Sequence, residues 1–121
     1  MKTIRCAFAG VVACSLITLG STARADDTIV TASVQALQSL GGLANVPGNA
    51  DFRVYLQGVS ACPGANDPTW AYINANDPNY KVVVSTASTA YAMGKPVTIM
   101  SRLTTIGDGK YCQIVWLMTA S

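Results

Sequence analysis

The chain has 121 residues, half of them hydrophobic by type, with eight lysine and arginine residues against six aspartates. This length allows one small domain with a modest core. Histidine and glutamate are both absent from the sequence. Because these side chains most often act as general bases and metal ligands, the composition argues against an enzyme and against a metal site.

The first 25 residues have the pattern of a secretory signal peptide. Lys2 and Arg5 form a basic start, an apolar run extends over residues 6–19, and Ala23 and Ala25 place small residues before a cleavage point. The apolar run is short for a transmembrane helix. We therefore predict export to the periplasm or the medium, with cleavage after Ala25 and a single domain over residues 26–121.

An alternative is processing as a lipoprotein at Cys14, because residues 11–14 resemble a lipobox. Cleavage there would divide the apolar run in its middle. We therefore favour cleavage after Ala25.

Cleavage changes the charge of the protein. It removes Lys2, Arg5 and Arg24, which leaves five basic residues against six aspartates, a net charge of 5 − 6 = −1. No run of basic residues survives that could neutralise phosphates or anionic headgroups. We therefore expect no nucleic-acid partner. The short apolar run of residues 6–19 is the reason to expect no membrane span.

Two cysteines, Cys62 and Cys112, remain after cleavage. An exported chain meets an oxidising compartment, and two cysteines allow one pairing. Two free thiols or a shared metal ion are the alternatives, and the metal is disfavoured because the chain has no histidine. We predict a disulfide, and closing a loop of this length contributes about 4 kcal/mol in the chain-entropy account.

Alternating apolar and polar residues predict three strands in the first half of the domain. The second is the clearest, because Phe52, Val54 and Leu56 alternate with polar or amphipathic side chains. The three predicted strands cover residues 28–37, 51–59 and 70–75. For the first of them a helix is the alternative, because Val30, Val34 and Leu37 also match a helical spacing.

Residues 77–94 carry signals for both ends of one helix. Asp77 suits the N-cap and Pro78 the first helical position, whereas Gly94 suits the left-handed residue after the last turn. The apolar stripe expected between these ends consists of Tyr80, Val83, Val84, Ala87 and Tyr91.

Two further strands are predicted over residues 97–103 and 111–119, joined by a turn at residues 107–109. The last strand is apolar on both sides, so one side fills the interior and the other needs the helix or a neighbouring copy. Trp116 is expected in the core. Strict alternation places Ile114, Trp116 and Met118 on one face and Val115 and Leu117 on the other.

The order of three strands, one helix and two strands predicts a mainly β protein. A five-stranded Greek-key barrel of the OB type has its helix between strands three and four. A split α+β sandwich would give a similar order. We expect the OB-type barrel, with one disulfide.

The segment Ala-Tyr-Ala-Met-Gly-Lys-Pro-Val-Thr-Ile, residues 90–99, follows Cys62, Trp70 and Tyr80 and precedes Cys112. In this order the chain resembles small exported bacterial proteins related to the B subunit of subtilase cytotoxin, among the pertussis-like toxin B subunits of AB5 toxins. The resemblance covers residues 52–117. It implies an OB-type barrel, glycan binding, a ring of five copies and a toxin A subunit as partner, and it assigns no pocket residue.

Aromatic and polar side chains indicate where a sugar would bind. Sugars are held by aromatic faces and by a few polar groups that fix their hydroxyls, in a concave site. The alternative for Trp70 is a structural role, in which it plugs one end of the barrel and its indole N–H bonds to the backbone. The predicted sugar-binding set is Trp70, Tyr72, Arg53, Tyr55 and Asn66.

We therefore predict a secreted binding protein that recognises a cell-surface glycan or glycoprotein. It is expected to have no catalytic residue, no cofactor and no metal. The alternative is a periplasmic or secreted interaction or inhibitor protein that uses the barrel as a scaffold and binds no glycan.

Overall fold

The computed structural model describes residues 27–40 and 50–120. The predicted signal peptide and Cys14 lie outside these residues. Within the described ranges the chain forms six strands and one helix: β1 (Asp27–Ala32), β2 (Val34–Ser39), β3 (Phe52–Leu56), β4 (Trp70–Ile73), α1 (Tyr80–Met93), β5 (Val97–Ile106) and β6 (Gly109–Thr119).

The six strands form one mixed sheet in the order β1-β5-β6-β4-β3-β2. Neighbouring strands are antiparallel except β4 and β6, which run parallel. The two strands at the ends of this order, β1 and β2, are separated in the chain by Ser33 alone. The sheet therefore curls until its outer strands meet at Ser33, whose carbonyl oxygen accepts a 3.0 Å hydrogen bond from the Gln57 N–H.

The predicted mainly β architecture with one helix is confirmed, but the number of strands and the position of the helix are wrong. The sheet has six strands, and the helix follows the fourth. The difference arises at Ser33, because the strand predicted over residues 28–37 is two strands, one paired with β5 and the other with β3. Alternating side chains do not distinguish a straight strand from one that bends between two partners.

The predicted faces of the last strand are wrong because β6 contains a bulge. Its register with β5 shifts at Val115, and the alternation reverses beyond that residue. Ile114 and Leu117 consequently both lie in the core. Trp116, which was expected in the core, is exposed on the outer face together with Met118.

The core lies inside the curled sheet and is covered by α1, which packs on β2 and β6. The buried arc of the helix is centred on Val83, Ala87 and Ala90. Tyr91 falls at the margin of this arc and is exposed, contrary to the predicted stripe. The largest fully buried side chains of the sheet are Val54, Ile73, Val97, Ile99 and Ile114.

The predicted end of the helix is confirmed, and its predicted start is not. Gly94 has a φ of 66°, in the left-handed region that favours glycine. The helix starts at Tyr80 and not at Pro78, because Asp77 forms a turn of its own, in which its carboxylate accepts a 2.8 Å bond from the Asn79 N–H. An aspartate in such a turn competes with the cap that it could otherwise form.

The predicted disulfide is confirmed. Cys62 and Cys112 are joined with an S–S distance of 2.06 Å, and both are fully buried. The bond ties the segment after β3 to the middle of β6. Among the described residues, no helix has the length and apolar character needed to cross a membrane.

Candidate functional site

The outer face of the sheet carries a row of three aromatic side chains from adjacent strands. Tyr55 on β3 lies opposite Trp70 on β4, and Tyr111 stacks on Trp70 from β6. Their common face follows from the alternation of each strand, because their neighbours Val54, Ala71 and Cys112 face the core. The three residues form a second, smaller apolar cluster together with Ala50, Tyr72 and Ile106.

Trp70 is the centre of this row and is enclosed on both sides. The Tyr111 ring lies 5.1 Å from its ring centroid with an interplanar angle of 13°. The guanidinium carbon of Arg53 lies 4.4 Å from the indole centroid and reaches it from β3, on the other flank of β4. Since only 5% of Trp70 is exposed, its faces are already occupied and cannot stack on a ligand.

Arg53 holds its guanidinium over the Trp70 ring, an arrangement that stabilises a cation on an aromatic ring by about 0.5–2 kcal/mol. Its Nε donates a 3.4 Å hydrogen bond to the Ala50 carbonyl oxygen. The terminal nitrogens form no hydrogen bond within the described residues. Because Arg53 is half-buried, these donors are fixed in direction and available to a ligand.

Tyr55 is the accessible ring of the row. It is half-buried, its centroid lies 6.4 Å from that of Trp70, and its hydroxyl donates a 3.0 Å hydrogen bond to Gln38 Oε1 on β2. Gln38 lies opposite Arg53 in the β2–β3 register. Tyr55, Arg53 and Gln38 therefore form one edge of the site from two adjacent strands.

Tyr72 forms the floor of the site and not its surface. It is buried, and its hydroxyl shares a 2.6 Å hydrogen bond with the Thr104 hydroxyl on β5. Burial raises the pKa of the Tyr72 phenol above its ordinary value, and the bond to Thr104 partly opposes this shift. A neutral phenol in this position supports the row without contacting solvent.

The loop before β4 closes the other edge of the site. The Asn66 N–H donates to the Lys110 carbonyl oxygen at 2.7 Å, and the Lys110 N–H donates to Asn66 Oδ1 at 2.5 Å. This pair holds the loop beside Tyr111. The Tyr111 ring crosses directly over Gly109, where a Cβ atom would lie 2.8 Å from the ring, so only glycine allows this placement.

Asp67 in the same loop supports Trp70. Its carboxylate accepts hydrogen bonds from the Thr69 hydroxyl at 2.5 Å and the Thr69 N–H at 3.1 Å. The Thr69 hydroxyl is the main cause that lowers the pKa of Asp67, with contributions from the Trp70 indole and the Arg53 charge, while burial acts in the opposite direction.

This lowered pKa predicts an acid-sensitive loop. A carboxyl with a lowered folded-state pKa adds stability above its unfolded pKa of 3.8 and loses it as the pH falls through the lower folded value. We expect Asp67→Asn to be less stable than the original protein near pH 7, and the difference should shrink toward about pH 3. Urea unfolding across this pH range measures it.

Thr69→Val removes the main donor to Asp67 and provides the control for this experiment. Although Asp67 is still present, Thr69→Val should also be less stable than the original protein near pH 7, by an amount that shrinks toward about pH 3. A difference between Asp67→Asn and the original protein that stays constant with pH would contradict the assignment.

No family model, no curated protein and no solved structure matches this chain.

The structure brings together Arg53, Tyr55, Trp70 and Tyr72 of the predicted sugar-binding set, whereas Asn66 lies in the loop before β4 and bonds to Lys110. Arg53 and Tyr55 lie on the accessible edge of the site, Asn66 on its rim, and Trp70 and Tyr72 beneath it. The buried position of Trp70 agrees with the alternative of a structural role for this residue, and its indole lies near enough to the Asp67 carboxylate to help lower the pKa of that group.

Sequence reasoning missed two residues of the site, Tyr111 and Gln38. The alternation of β6 contained the signal for Tyr111, because Tyr111 stands one residue before the inward-facing Cys112. Gln38 could not be found, because residue 35 lies at a register shift in β2 that reverses which side chains face outward. Within the described residues, no group of three or more potential metal ligands is present.

Proposed function

We propose that this protein binds a glycan on the outer face of β3, β4 and β6, over the row Tyr55–Trp70–Tyr111. The observation that carries the proposal is the fixed Arg53 guanidinium, which lies on Trp70 with its terminal donors free of partners within the described residues. Beside it, Tyr55 presents a ring that is only half-buried.

The chemistry of this edge suits a sugar. An aromatic ring can pack on the C–H groups of a pyranose, while a guanidinium and an amide fix hydroxyl or acidic substituents. Tyr55 supplies the ring, Arg53 supplies the charged donors, and Gln38 supplies a side-chain amide on the adjacent strand. Trp70 contributes by holding Arg53 and Tyr111 in place and not by contact.

We also propose that the fold is an OB-type barrel. With β1 and β2 taken as one strand bent at Ser33, the strand order corresponds to an OB-type barrel with its helix after the third strand. The resemblance to toxin B subunits supports glycan recognition as the role of such a barrel. Under this proposal the chain is an exported receptor-binding protein of the AB5 type, with a separate A subunit as its catalytic partner.

A glycan array with protein recovered from the periplasm or medium tests the proposal. We expect binding to a defined set of glycans, at least a tenfold loss on Arg53→Gln, and a similar loss on Tyr55→Ala. Arg53→Gln gives up the cation contact with Trp70, about 0.5–2 kcal/mol, and Tyr55→Ala gives up a half-buried ring, so thermal unfolding should first show that both variants are folded under the conditions of the array. Val82→Ala, on the exposed side of α1, is the matched control and should bind as the original protein does.

An array on which the original protein binds no glycan would overturn the proposal and leave the interaction or inhibitor protein as the function. If glycan binding survives both substitutions, the glycan site lies elsewhere on the surface. Trp70→Ala is unsuitable for this test, because it removes the base of the site together with its edge.

A further inference from the structure

We propose that Asn74 is a positioning residue of the glycan site, which acts through the backbone of Ala50 on the direction of the Arg53 guanidinium. Asn74 stands one residue beyond the end of β4 and outside the aromatic row. Its effect on glycan binding rests on the proposed function, whereas its effect on the position of Arg53 does not.

The backbone of Ala50 is strained. Its φ is 59°, and among the described residues it is the one non-glycine position with a positive φ. A Cβ atom makes this left-handed conformation unfavourable, so it persists where neighbouring groups hold it. Ala50 is 2% exposed and packs in the same cluster as Trp70. The strained residue therefore lies in the base of the site.

Asn74 supplies the group that holds Ala50. Its Oδ1 accepts a 2.8 Å hydrogen bond from the Ala50 N–H. A reciprocal bond lies beside it, because Asp51 Oδ2 accepts a 2.6 Å bond from the Ala75 N–H. Both bonds lie beyond the last paired residues of β3 and β4. Side chains thus continue the connection between these strands where the backbone ladder has ended.

The carbonyl of Ala50 directs Arg53. Its oxygen accepts a 3.4 Å hydrogen bond from Arg53 Nε, and the guanidinium carbon lies 4.4 Å from the centroid of the Trp70 ring. The ring contact sets the distance of the cation from the ring and restricts its rotation only weakly, whereas a hydrogen bond has a preferred direction. The direction of the terminal donors of Arg53 therefore depends on the Ala50 carbonyl.

These contacts connect Asn74 to the ligand side of the site. Without the Asn74 acceptor, we expect Ala50 to relax toward a negative φ, which turns its carbonyl away from Arg53. The guanidinium would then keep its ring contact and lose its fixed direction. A glycan would have to order these donors as it binds, and that ordering lowers the affinity.

The Nε–Hε signals of the arginine side chains in a nuclear magnetic resonance spectrum test the effect on Arg53. Cleavage after Ala25 leaves two arginines, Arg53 and Arg102, and Arg53→Gln identifies their signals by removing one. We expect Asn74→Ala to speed the exchange of the Arg53 Hε with solvent about tenfold or more. Arg102 Nε donates to Asp27 at 2.8 Å, so its Hε should exchange as before and is the control within the same spectrum.

Ser101→Ala is the matched control variant. It removes a 2.7 Å bond from a buried side chain to the Ala61 carbonyl oxygen, on the core side of β5 and away from the aromatic row. It should lower the stability and leave the exchange of the Arg53 Hε unchanged. Should Asn74→Ala fail to fold, Asn74→Ser takes its place, because it shortens the side chain by one bond and keeps it polar.

The glycan array tests the effect on binding. Asn74→Ala should weaken binding to the glycans that the original protein recognises by about threefold to tenfold. In the Arg53→Gln background, assayed at raised protein concentration, it should cause no further loss. Such non-additivity is expected of two residues that act through one contact.

An unchanged exchange of the Arg53 Hε in Asn74→Ala, or an equal acceleration in Ser101→Ala, would overturn the proposal. So would a loss of glycan binding on Asn74→Ala that is as large in the Arg53→Gln background as in the original protein. If the original protein binds no glycan, the proposed function fails, and the exchange measurement still decides whether Asn74 positions Arg53.

Discussion

Replacing both cysteines by alanine, as Cys62→Ala with Cys112→Ala, should lower the free energy of unfolding by about 4 kcal/mol. The bond spans 50 residues, so its removal frees a long loop in the unfolded chain. In a domain of this size, such a loss is a large part of the total stability. Urea denaturation of the double variant and the original protein measures the difference.

Reductant provides the control for this measurement. Because both sulfur atoms are fully buried, the folded original protein should keep its bond in mild reductant, and its unfolding curve should approach that of the double variant only where unfolding exposes the bond. A loss below about 1 kcal/mol in the double variant would contradict the expected role of the bond.

Trp70→Ala should lower the free energy of unfolding by about 3–5 kcal/mol, the range for removing a large buried aromatic side chain. The loss has three parts that are visible in the structure: the buried indole itself, its stacking with Tyr111, and the Arg53 cation on its face. Without the indole, the Arg53 side chain should also lose its fixed position. Thermal or urea unfolding measures the stability.

Tyr91→Ala is the matched control, because Tyr91 is a large aromatic residue that is exposed on α1. Its removal should change the stability by no more than about 0.5 kcal/mol. Trp70→Phe should fall between the two, since it keeps a ring between Arg53 and Tyr111. If Trp70→Ala lowers the free energy of unfolding by no more than Tyr91→Ala does, the aromatic row does not stabilise the fold.

Much of the fold could be predicted from local signals. Gly94 ends the helix where its left-handed conformation is needed, and the glycines at 107 and 109 stand at the β5–β6 turn. The departures occur where side-chain alternation alone is ambiguous. Ser33 divides one alternating run between two partner strands, and Val115 reverses the faces of β6. Both depend on pairings between distant parts of the chain.

The sequence could predict which site residues lie together on one strand, because residues on the same face of a strand alternate with core residues. Arg53 and Tyr55 alternate with core residues, and so do Trp70 and Tyr72, which made their grouping visible in the sequence. What the sequence could not show is that Trp70 lies beneath Arg53. That depends on the β3–β4 register and on Tyr111, which reaches the indole from a strand about 40 residues later in the chain.

The pairing of the first strand has a consequence for the order of folding. Asp27 and Arg102 form an ion pair across 75 positions of the chain, and among the described strands β1 pairs with β5 alone. Contacts of such long sequence separation form late, because the intervening chain must first be ordered. A chain that emerges from its N-terminus during synthesis would therefore hold β1 without its partner until β5 had followed, which delays completion of the sheet until most of the chain has emerged.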